Sequence, residues 1–304
     1  MTTLQETGKC LLIWRPLKNG FAAAQKSFSL LVSWHIIIIK YRMLNSISER
    51  QKTFDSPPAN HFSTVMQRSN LDLKAFVFDF DGTIASLIID FQEMRRAVLA
   101  QLKSFGIPGD GLRDLYVLEM IAAGKQIIAE RFPGQENIYF QQADELVRGI
   151  EINAARRGSL LPGTREMLFQ MRARNLKIGV ITRNCRDAVN IAFPDILSFV
   201  DIVLTRDETT VVKPDPDHLI KVLEAFALPA AKVAMVGDHT MDMKLAKYVG
   251  AYAIGVLTGH ANAADLSGAG ADMVINKAAE IIFFPNRKPQ ADIPVNFIDI
   301  NRPV

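Results

Sequence analysis

Cysteine is scarce in this sequence. Cys10 and Cys185 are the only two cysteines among 304 residues, which is too few for the disulfide framework of a small secreted domain. No C-x-x-C spacing is present, so the sequence lacks the usual cysteine motifs for zinc binding and thiol redox chemistry. These absences predict a protein of the reducing cytoplasm.

Long apolar runs are also absent. The most apolar stretch, residues 28–39, reads FSLLVSWHIIII. A membrane-spanning helix needs about 20 such residues, so no span is expected. A secretory signal would start close to residue 1 and end at a small-residue cleavage site, and neither feature is clear here.

A large excess of one charge is absent as well. The net charge is +3, but residues 1–65 carry eight Lys and Arg against three Asp and Glu. The body of the protein, residues 66–304, is therefore left with a net charge near −2. A mildly acidic body offers no electrostatic basis for binding nucleic acid, and we expect no nucleic-acid partner.

Residues 1–70 differ from the rest and are predicted to be an N-terminal extension. This segment is basic, lacks clear helical or strand periodicity, and is interrupted by SPPAN at residues 56–60. We expect it to be disordered or to lie outside the natural protein, with translation starting at Met66 or Met43. An organelle transit peptide is the alternative, because such leaders are basic and poor in acidic residues.

The body has an alternating pattern of strands and helices. Its hydrophobic content of 49% and charged content of 22% are typical of a folded soluble protein. Helical patterns separate most of six short apolar runs, at residues 75–80, 177–182, 201–205, 232–237, 252–256 and 272–275. This rhythm predicts an α/β fold, a Rossmann-like parallel sheet with helices on both faces.

One segment, residues 85–160, interrupts this pattern and contains no convincing strand. Apolar residues recur there at helical spacing in two series, Phe91, Met94, Val98, Leu102 and Phe105, and Phe140, Ala143, Val147, Ile150 and Ala154. We predict an α-helical cap at 85–160, inserted into a catalytic core formed by residues 71–84 and 161–283. Residues 284–304 form a C-terminal tail.

Polar side chains stand at the ends of four of the predicted strands or shortly after them. They are Asp79 and Asp81, Thr182, Lys213, and the pair Asp238 and Asp242. The carboxyl ends of parallel strands meet at the edge where such sheets bind ligands, so we expect these side chains to converge.

The chemistry of this group suits phosphoryl transfer. Mg²⁺ prefers a few carboxylate oxygens, and a lysine with a hydroxyl holds phosphate oxygens. One carboxylate can attack phosphorus, and a second can act as general acid and base. Because carboxylates this close repel each other, the cluster also calls for a cation.

These residues resemble the four ordered motifs of the haloacid dehalogenase superfamily. The matching segments are Asp79-Phe80-Asp81-Gly82-Thr83, Thr182, Lys213, and Gly237-Asp238 with Asp242. The helical insert resembles the C1-type cap of that superfamily. LLPGT at 160–164 and KPDP at 213–216 resemble its phosphoglycolate phosphatase branch, and the resemblance covers residues 72–280.

The resemblance implies catalytic and metal-binding roles. Asp79 is expected to be the nucleophile and a Mg²⁺ ligand. Asp81 is expected to be the general acid and base and to lend its main-chain carbonyl to the metal. Asp238 is expected to ligate Mg²⁺, and Asp242 to support the metal site through water or through hydrogen bonds to its ligands.

It also implies a phosphate-binding set. Thr182 and Lys213 are expected to hold the phosphoryl group, and Gly82 to leave a backbone N–H free for it. We add Arg183 to this set because it directly follows Thr182. The branch often has an acidic residue and a serine after the first motif, whereas Ala85 and Ser86 stand here, and this leaves the substrate open.

Four further residues near these motifs have simpler interpretations. We expect His239 to be a loop residue and not a ligand, and Cys185 to be a passive thiol. Arg95 and Arg96 on the first cap helix either form its solvated face or reach an anionic substrate.

The function predicted from these features is a Mg²⁺-dependent phosphatase that hydrolyses a small, phosphoglycolate-like phosphomonoester through an aspartyl-phosphate. The alternatives are a phosphomutase of the same fold, similar to β-phosphoglucomutase, and a catalytically silent binding or regulatory protein. Dehalogenation is disfavoured because an alkyl halide does not require the acid that Asp81 supplies. The expected partner is a small phosphorylated metabolite, and the oligomeric state is left open.

Overall fold

The computed structural model describes residues 72–283. The predicted N-terminal extension at 1–70 and the tail at 284–304 lie outside these described residues. The strands are β1 Ala75–Phe78, β2 Ala85–Ser86, β3 Ser159–Leu160, β4 Lys177–Ile181, β5 Ile202–Leu204, β6 Val233–Gly237, β7 Tyr252–Val256 and β8 Met273–Ile275. The α-helices are α1 Phe91–Ser104, α2 Val117–Arg131, α3 Glu136–Arg157, α4 Thr164–Ala173, α5 Arg186–Ala192, α6 Asp217–Phe226, α7 Thr240–Val249 and α8 Ala263–Gly268.

Six of the strands form one parallel sheet in the order β5-β4-β1-β6-β7-β8. Strand β1 is central, and its Phe76 pairs with Ile178 on one side and Ala234 on the other. Because side chains alternate along a strand, Phe76 and Phe78 join the core on one face, and Ala75 and Val77 join the core on the opposite face. The predicted fold class is therefore confirmed.

Helices cover both faces of this sheet. Met167, Leu168 and Met171 of α4 pack against the first face, as the sequence pattern predicts. Leu219 and Val222 of α6 pack against the second. Both faces of the central strands are thus removed from water, which accounts for their continuous apolar sequence.

The first predicted strand is too long by two residues. After Phe78 the Asp79 N–H still donates to the Val236 carbonyl of β6 at 2.8 Å. The chain then turns, and the Phe80 carbonyl accepts hydrogen bonds from the N–H groups of Ile84 and Ala85 at 3.0 and 2.9 Å. Asp79 therefore stands at the carboxyl end of β1, and Asp81 lies in the turn that follows it, at the ligand-binding edge of the sheet.

The segment between β1 and β4, the first two strands of the parallel sheet in chain order, is mostly helical. Helices α1, α2 and α3 pack around their own apolar cluster, which includes Val98, Leu102, Met120, Ile128, Tyr139 and Ala143. This separate core supports the assignment of residues 85–160 to a cap, whose boundaries stay a prediction. The expectation of no strand in this segment is wrong at both ends, where β2 and β3 form an antiparallel pair. Each strand has only two residues, which is too short to show an alternating pattern in the sequence.

Two aromatic residues of the predicted cap pattern are not buried. Phe91 is 45% exposed and Phe140 is 42% exposed, whereas Tyr139 is fully buried. Phe91 packs edge-on against His260 with ring centroids 5.6 Å apart. Lys125 Nζ lies 4.7 Å from the centre of the Phe140 ring, so each exposed ring has a specific neighbour.

Within residues 72–283, no helix has both the length and the apolar character needed to cross a lipid bilayer.

Candidate active site

The predicted site residues meet at the carboxyl edge of the parallel sheet. Asp79 follows β1, Thr182 follows β4, and Asp238 follows β6, while Lys213 lies in the loop after β5. With Asp81, Arg183 and Asp242, they line one cavity of about 240 Å³. Seven of the eight predicted site residues are therefore brought together, and Gly82 lies next to them in the turn after β1.

Three carboxylates form a tight cluster in this cavity. Asp79, Asp238 and Asp242 each offer an oxygen atom within 4.8 Å of the others. Burial and the charge of Asp79 raise the pKa of Asp238. Burial raises the pKa of Asp242 to about 7, with the charge of Asp79 adding to the effect. A set of closely spaced oxygen donors whose charges oppose one another fits a hard divalent cation such as Mg²⁺.

Lys213 supplies the positive charge within the protein that balances this cluster. Its Nζ lies 2.7 Å from Asp79 Oδ1 and 2.7 Å from Asp242 Oδ1. Burial acts to lower the pKa of Lys213, but Asp242 and Asp79 outweigh it and hold the pKa above the ordinary value. The ammonium therefore stays charged and bridges Asp79, the predicted nucleophile, to Asp242.

A buried histidine fixes the backbone of this lysine. His218 Nδ1 accepts a hydrogen bond from the Lys213 N–H at 3.2 Å, and its Nε2 lies 3.1 Å from the Leu204 carbonyl. Burial lowers the pKa of His218 to about 3, so the ring is neutral and donates from Nε2. Sequence reasoning missed His218, although its position five residues after Lys213 was visible.

Asp81 lies beside the cluster, and one of its carboxylate oxygens is hydrogen-bonded to the backbone of the insert. Its Oδ1 accepts a hydrogen bond of 2.7 Å from the Leu87 N–H at the start of the insert. Burial, with the charges of Asp79 and Asp238, raises the pKa of Asp81 to about 7. A carboxyl group with this pKa can both donate and accept a proton near neutral pH.

The role expected for Gly82 needs correction. Its N–H donates to the Ala85 carbonyl at 2.8 Å, so it is not free for a phosphate. The residue is required for another reason: its φ is +78°, and a Cβ there would lie 2.6 Å from Asp238 Oδ2. Glycine thus lets the turn after β1 approach the carboxylate cluster.

A loop after β7, at residues 258–260, also positions Asp238. The His260 N–H donates to Asp238 Oδ2 at 3.0 Å, and a Cβ on Gly259 would lie 1.8 Å from the same oxygen. Thr258 Oγ1 donates to the Gly82 carbonyl at 2.5 Å. Sequence reasoning missed this loop, although it follows a strand that ends at the same edge.

Arg183 links the core to the cap. Its guanidinium pairs with both carboxylate oxygens of Glu119 on α2, at 2.8 and 2.6 Å. It also donates to the Lys213 carbonyl and lies over the ring of Tyr116. Arg183 lines the cavity while its guanidinium is paired with Glu119, so its part in phosphate binding stays a prediction.

A second arginine–glutamate pair joins the same two parts. Arg206, which follows β5, pairs with Glu151 of α3, and their side chains are 7% and 4% exposed. Glu151 Oε2 also accepts the Cys185 N–H at 3.0 Å. Burial raises the pKa of the Cys185 thiol to about 12, which agrees with a passive thiol.

Thr182 and His239 also line the core side of the cavity. The Thr182 hydroxyl is buried and accepts a 3.2 Å hydrogen bond from the Asn184 N–H. His239 begins α7 as its cap, with Nδ1 accepting from the Met241 N–H at 3.0 Å. His239 thus caps α7 and also lines the cavity, and the expectation that it is not a ligand stays a prediction.

The fold and the site together define a class: α/β enzymes with a carboxylate cluster at the strand ends and a helical insert after the first strand. A family model described as haloacid dehalogenase-like hydrolase matches residues 76–256. The chain belongs to this family, which confirms the predicted superfamily and the prediction that the protein is an enzyme, a hydrolase of this kind.

Named relatives agree with this assignment. A haloacid dehalogenase-like hydrolase domain-containing protein of Arabidopsis thaliana is 30% identical over 173 residues, which cover 56% of this chain and 64% of the plant protein, slightly under two thirds of it. A phosphoglycolate phosphatase of Nitrosococcus oceani is 23% identical, with 67% of this chain and 93% of that protein covered. The predicted likeness to the phosphoglycolate phosphatase branch is thereby confirmed.

A solved structure shows the same fold. The crystal structure of a hydrolase from Pseudomonas syringae matches with a TM-score of 0.52 and 22% identity, and covers 69% of this chain and 96% of that one.

Proposed function

We propose that this enzyme, a haloacid dehalogenase-like phosphoric monoester hydrolase, is a Mg²⁺-dependent phosphatase that acts on a small phosphomonoester through an aspartyl-phosphate. The observation that carries this proposal is the cluster of Asp79, Asp238 and Asp242 bridged by Lys213, with Asp81 beside it. This arrangement combines a nucleophile, a cation site and an acid in one small cavity.

Asp79, Asp238 and Asp242 are the residues that would hold the metal, with the Asp81 main-chain carbonyl expected as a further donor. Bound Mg²⁺ supplies charge neutralisation for the phosphoryl oxygens. Lys213 and Thr182 bind the same oxygens from the protein side, where an ammonium and a hydroxyl donate hydrogen bonds to phosphate.

The chemical steps use the two aspartates after β1. Asp79 attacks phosphorus, forming an O–P bond while the bond to the ester oxygen breaks, and Asp81 gives that oxygen its proton. Asp81 then takes a proton from water, which attacks the aspartyl-phosphate and releases inorganic phosphate and free Asp79. The pKa of about 7 for Asp81 suits both proton transfers.

Two observations support a small substrate. The cavity of about 240 Å³ lies below the range of roughly 300–1,000 Å³ that holds drug-sized ligands. The relative from Nitrosococcus oceani is named a phosphoglycolate phosphatase, so a small, phosphoglycolate-like metabolite is the proposed substrate.

The scarcity of cysteine supports a cytoplasmic location.

The test is a panel of small phosphate esters and one aryl phosphate, given to the full chain with Mg²⁺ and with EDTA. We expect release of inorganic phosphate with Mg²⁺ only, and none from the Asp79→Asn variant. Return of the phosphoryl group to a sugar would favour a phosphomutase. No hydrolysis of any ester would favour a binding or regulatory protein.

A further inference from the structure

Two neighbouring arginines on α1 have different surroundings. Arg96 points to the surface, where its side chain is 71% exposed and its Nη2 lies 3.7 Å from Asp90 Oδ2. Arg95 is partly buried and lines the same cavity as Asp79 and Lys213. Successive residues on a helix point about 100° apart, so only one of the pair reaches the site.

The Arg95 side chain is held in place by backbone carbonyls of the insert. Its Nη1 donates to the Arg113 carbonyl and, at 2.7 Å, to the Leu115 carbonyl. These bonds use one of its three nitrogens and leave Nε and Nη2, which form one edge of the guanidinium. Two parallel N–H groups on such an edge match the two oxygens of a carboxylate.

Arg95 differs from Lys213 and Arg183, the other positively charged side chains named in this cavity, in its ion pairs. Lys213 is paired with Asp79 and Asp242, and Arg183 is paired with Glu119. Among residues 72–283, no carboxylate forms an ion pair with Arg95, which donates hydrogen bonds to the neutral backbone carbonyls of Arg113 and Leu115.

The wall around Arg95 is mostly apolar. Besides Arg95, the insert lines the cavity with the apolar residues Phe91, Met94, Val117, Leu118 and Val147, with Tyr116, and with Glu151, which is paired with Arg206. A charge in such a wall is poorly solvated and gains from an anionic partner. A few fixed polar groups in an apolar pocket usually determine which ligand binds and how it is oriented.

We propose that Arg95 binds a carboxylate of the substrate, away from the phosphoryl group that is transferred. The preferred substrates are then small phosphomonoesters that carry a carboxylate. This inference rests on the proposed phosphatase function and adds a residue that determines specificity.

The experiment compares two esters of similar size, 2-phosphoglycolate and the neutral-tailed 2-hydroxyethyl phosphate, in the full chain with Mg²⁺. Arg95→Gln should lower kcat/KM for 2-phosphoglycolate by about 10- to 100-fold, the usual effect of losing a charged hydrogen bond, chiefly through KM. The value for 2-hydroxyethyl phosphate should change by less than about 3-fold, which is within the effect of a mild structural change. Arg96→Gln, the matched control on the same helix, should leave both values unchanged.

Arg95→Lys keeps the charge without the forked edge and should retain part of the preference, and it also serves if Arg95→Gln does not fold. An equal loss on both esters would show that Arg95 only supports the insert and would overturn the inference, while the phosphatase function stands. A wild-type preference for the neutral ester would also overturn it. Failure of the wild-type protein to hydrolyse any ester with Mg²⁺ would instead overturn the proposed function.

Discussion

Replacing Lys213 by methionine tests whether this lysine is the counter-charge of the carboxylate cluster. Methionine keeps much of the length of the side chain and removes the ammonium that lies 2.7 Å from both Asp79 and Asp242. Removing one partner of a buried ion pair costs about 3–5 kcal/mol, because an uncompensated charge remains. We expect a loss of unfolding free energy of this size at pH 8 without metal.

The loss should depend on pH. The folded-state pKa of Asp242 is raised from 3.8 to about 7, so the stability linked to its protonated form is fully present below 3.8 and is lost as pH rises through 7. The variant removes the ammonium that opposes this rise, so the carboxyl binds its proton more tightly still. At pH 5 a protonated Asp242 needs no counter-charge, and the loss should be smaller by at least about 1 kcal/mol.

Urea unfolding in EDTA at pH 5 and pH 8 measures both values. Lys232→Met is the control, because Lys232 pairs with Asp72 on the surface and its side chain is 40% exposed. Its effect should stay within about 0.5 kcal/mol. A loss below about 1 kcal/mol for Lys213→Met at both pH values, or a larger loss at pH 5, would show that Lys213 is not the counter-charge of the carboxylate cluster.

Three further predictions follow from the site. In a double-mutant cycle, Glu119→Gln and Arg183→Gln should show a coupling of about 1 kcal/mol in urea unfolding, and additive effects would mean that the pair is not an interaction between core and cap. For an alkyl phosphate, kcat/KM should fall as pH rises through about 7, where Asp81 loses its proton. Asp81→Asn should abolish this fall, and a fall that persists in the variant would mean that another group titrates. Gly259→Ala, whose Cβ would lie 1.8 Å from Asp238 Oδ2, should weaken Mg²⁺ binding by about 10-fold or more in calorimetry, and unchanged affinity would contradict the role of that loop.

The sequence predicts the parts of the site that follow from local pattern. Asp79, Thr182 and Asp238 stand directly after buried apolar strands, and parallel strands bring their carboxyl ends to one edge. The pattern of strands and helices therefore predicts both the fold and the convergence of these residues. The end of β1 differs from the prediction by two residues, because the turn hydrogen bonds to the Phe80 carbonyl leave no mark on hydrophobic periodicity.

The remaining features depend on pairs that are distant in sequence. Arg183 and Glu119 are 64 positions apart, and Arg206 and Glu151 are 55 apart. Opposite charges at such separations occur throughout any sequence, so nothing local marks the pairs that meet. Backbone donors are hidden for the same reason, as with the N–H of His260 that bonds to Asp238.

The most direct test of the central claim is to trap the covalent intermediate. The Asp81→Asn variant keeps the nucleophile but lacks the base for the second step, so an aryl phosphate with a good leaving group should give a burst of phenol followed by a stall. The aryl ester should carry the radiolabel in its phosphoryl group. Rapid quench followed by peptide mapping should then place a labelled acyl phosphate on Asp79. A label on Asp81 would reverse the two roles, and direct transfer of phosphate to water with no labelled peptide would contradict the aspartyl-phosphate mechanism.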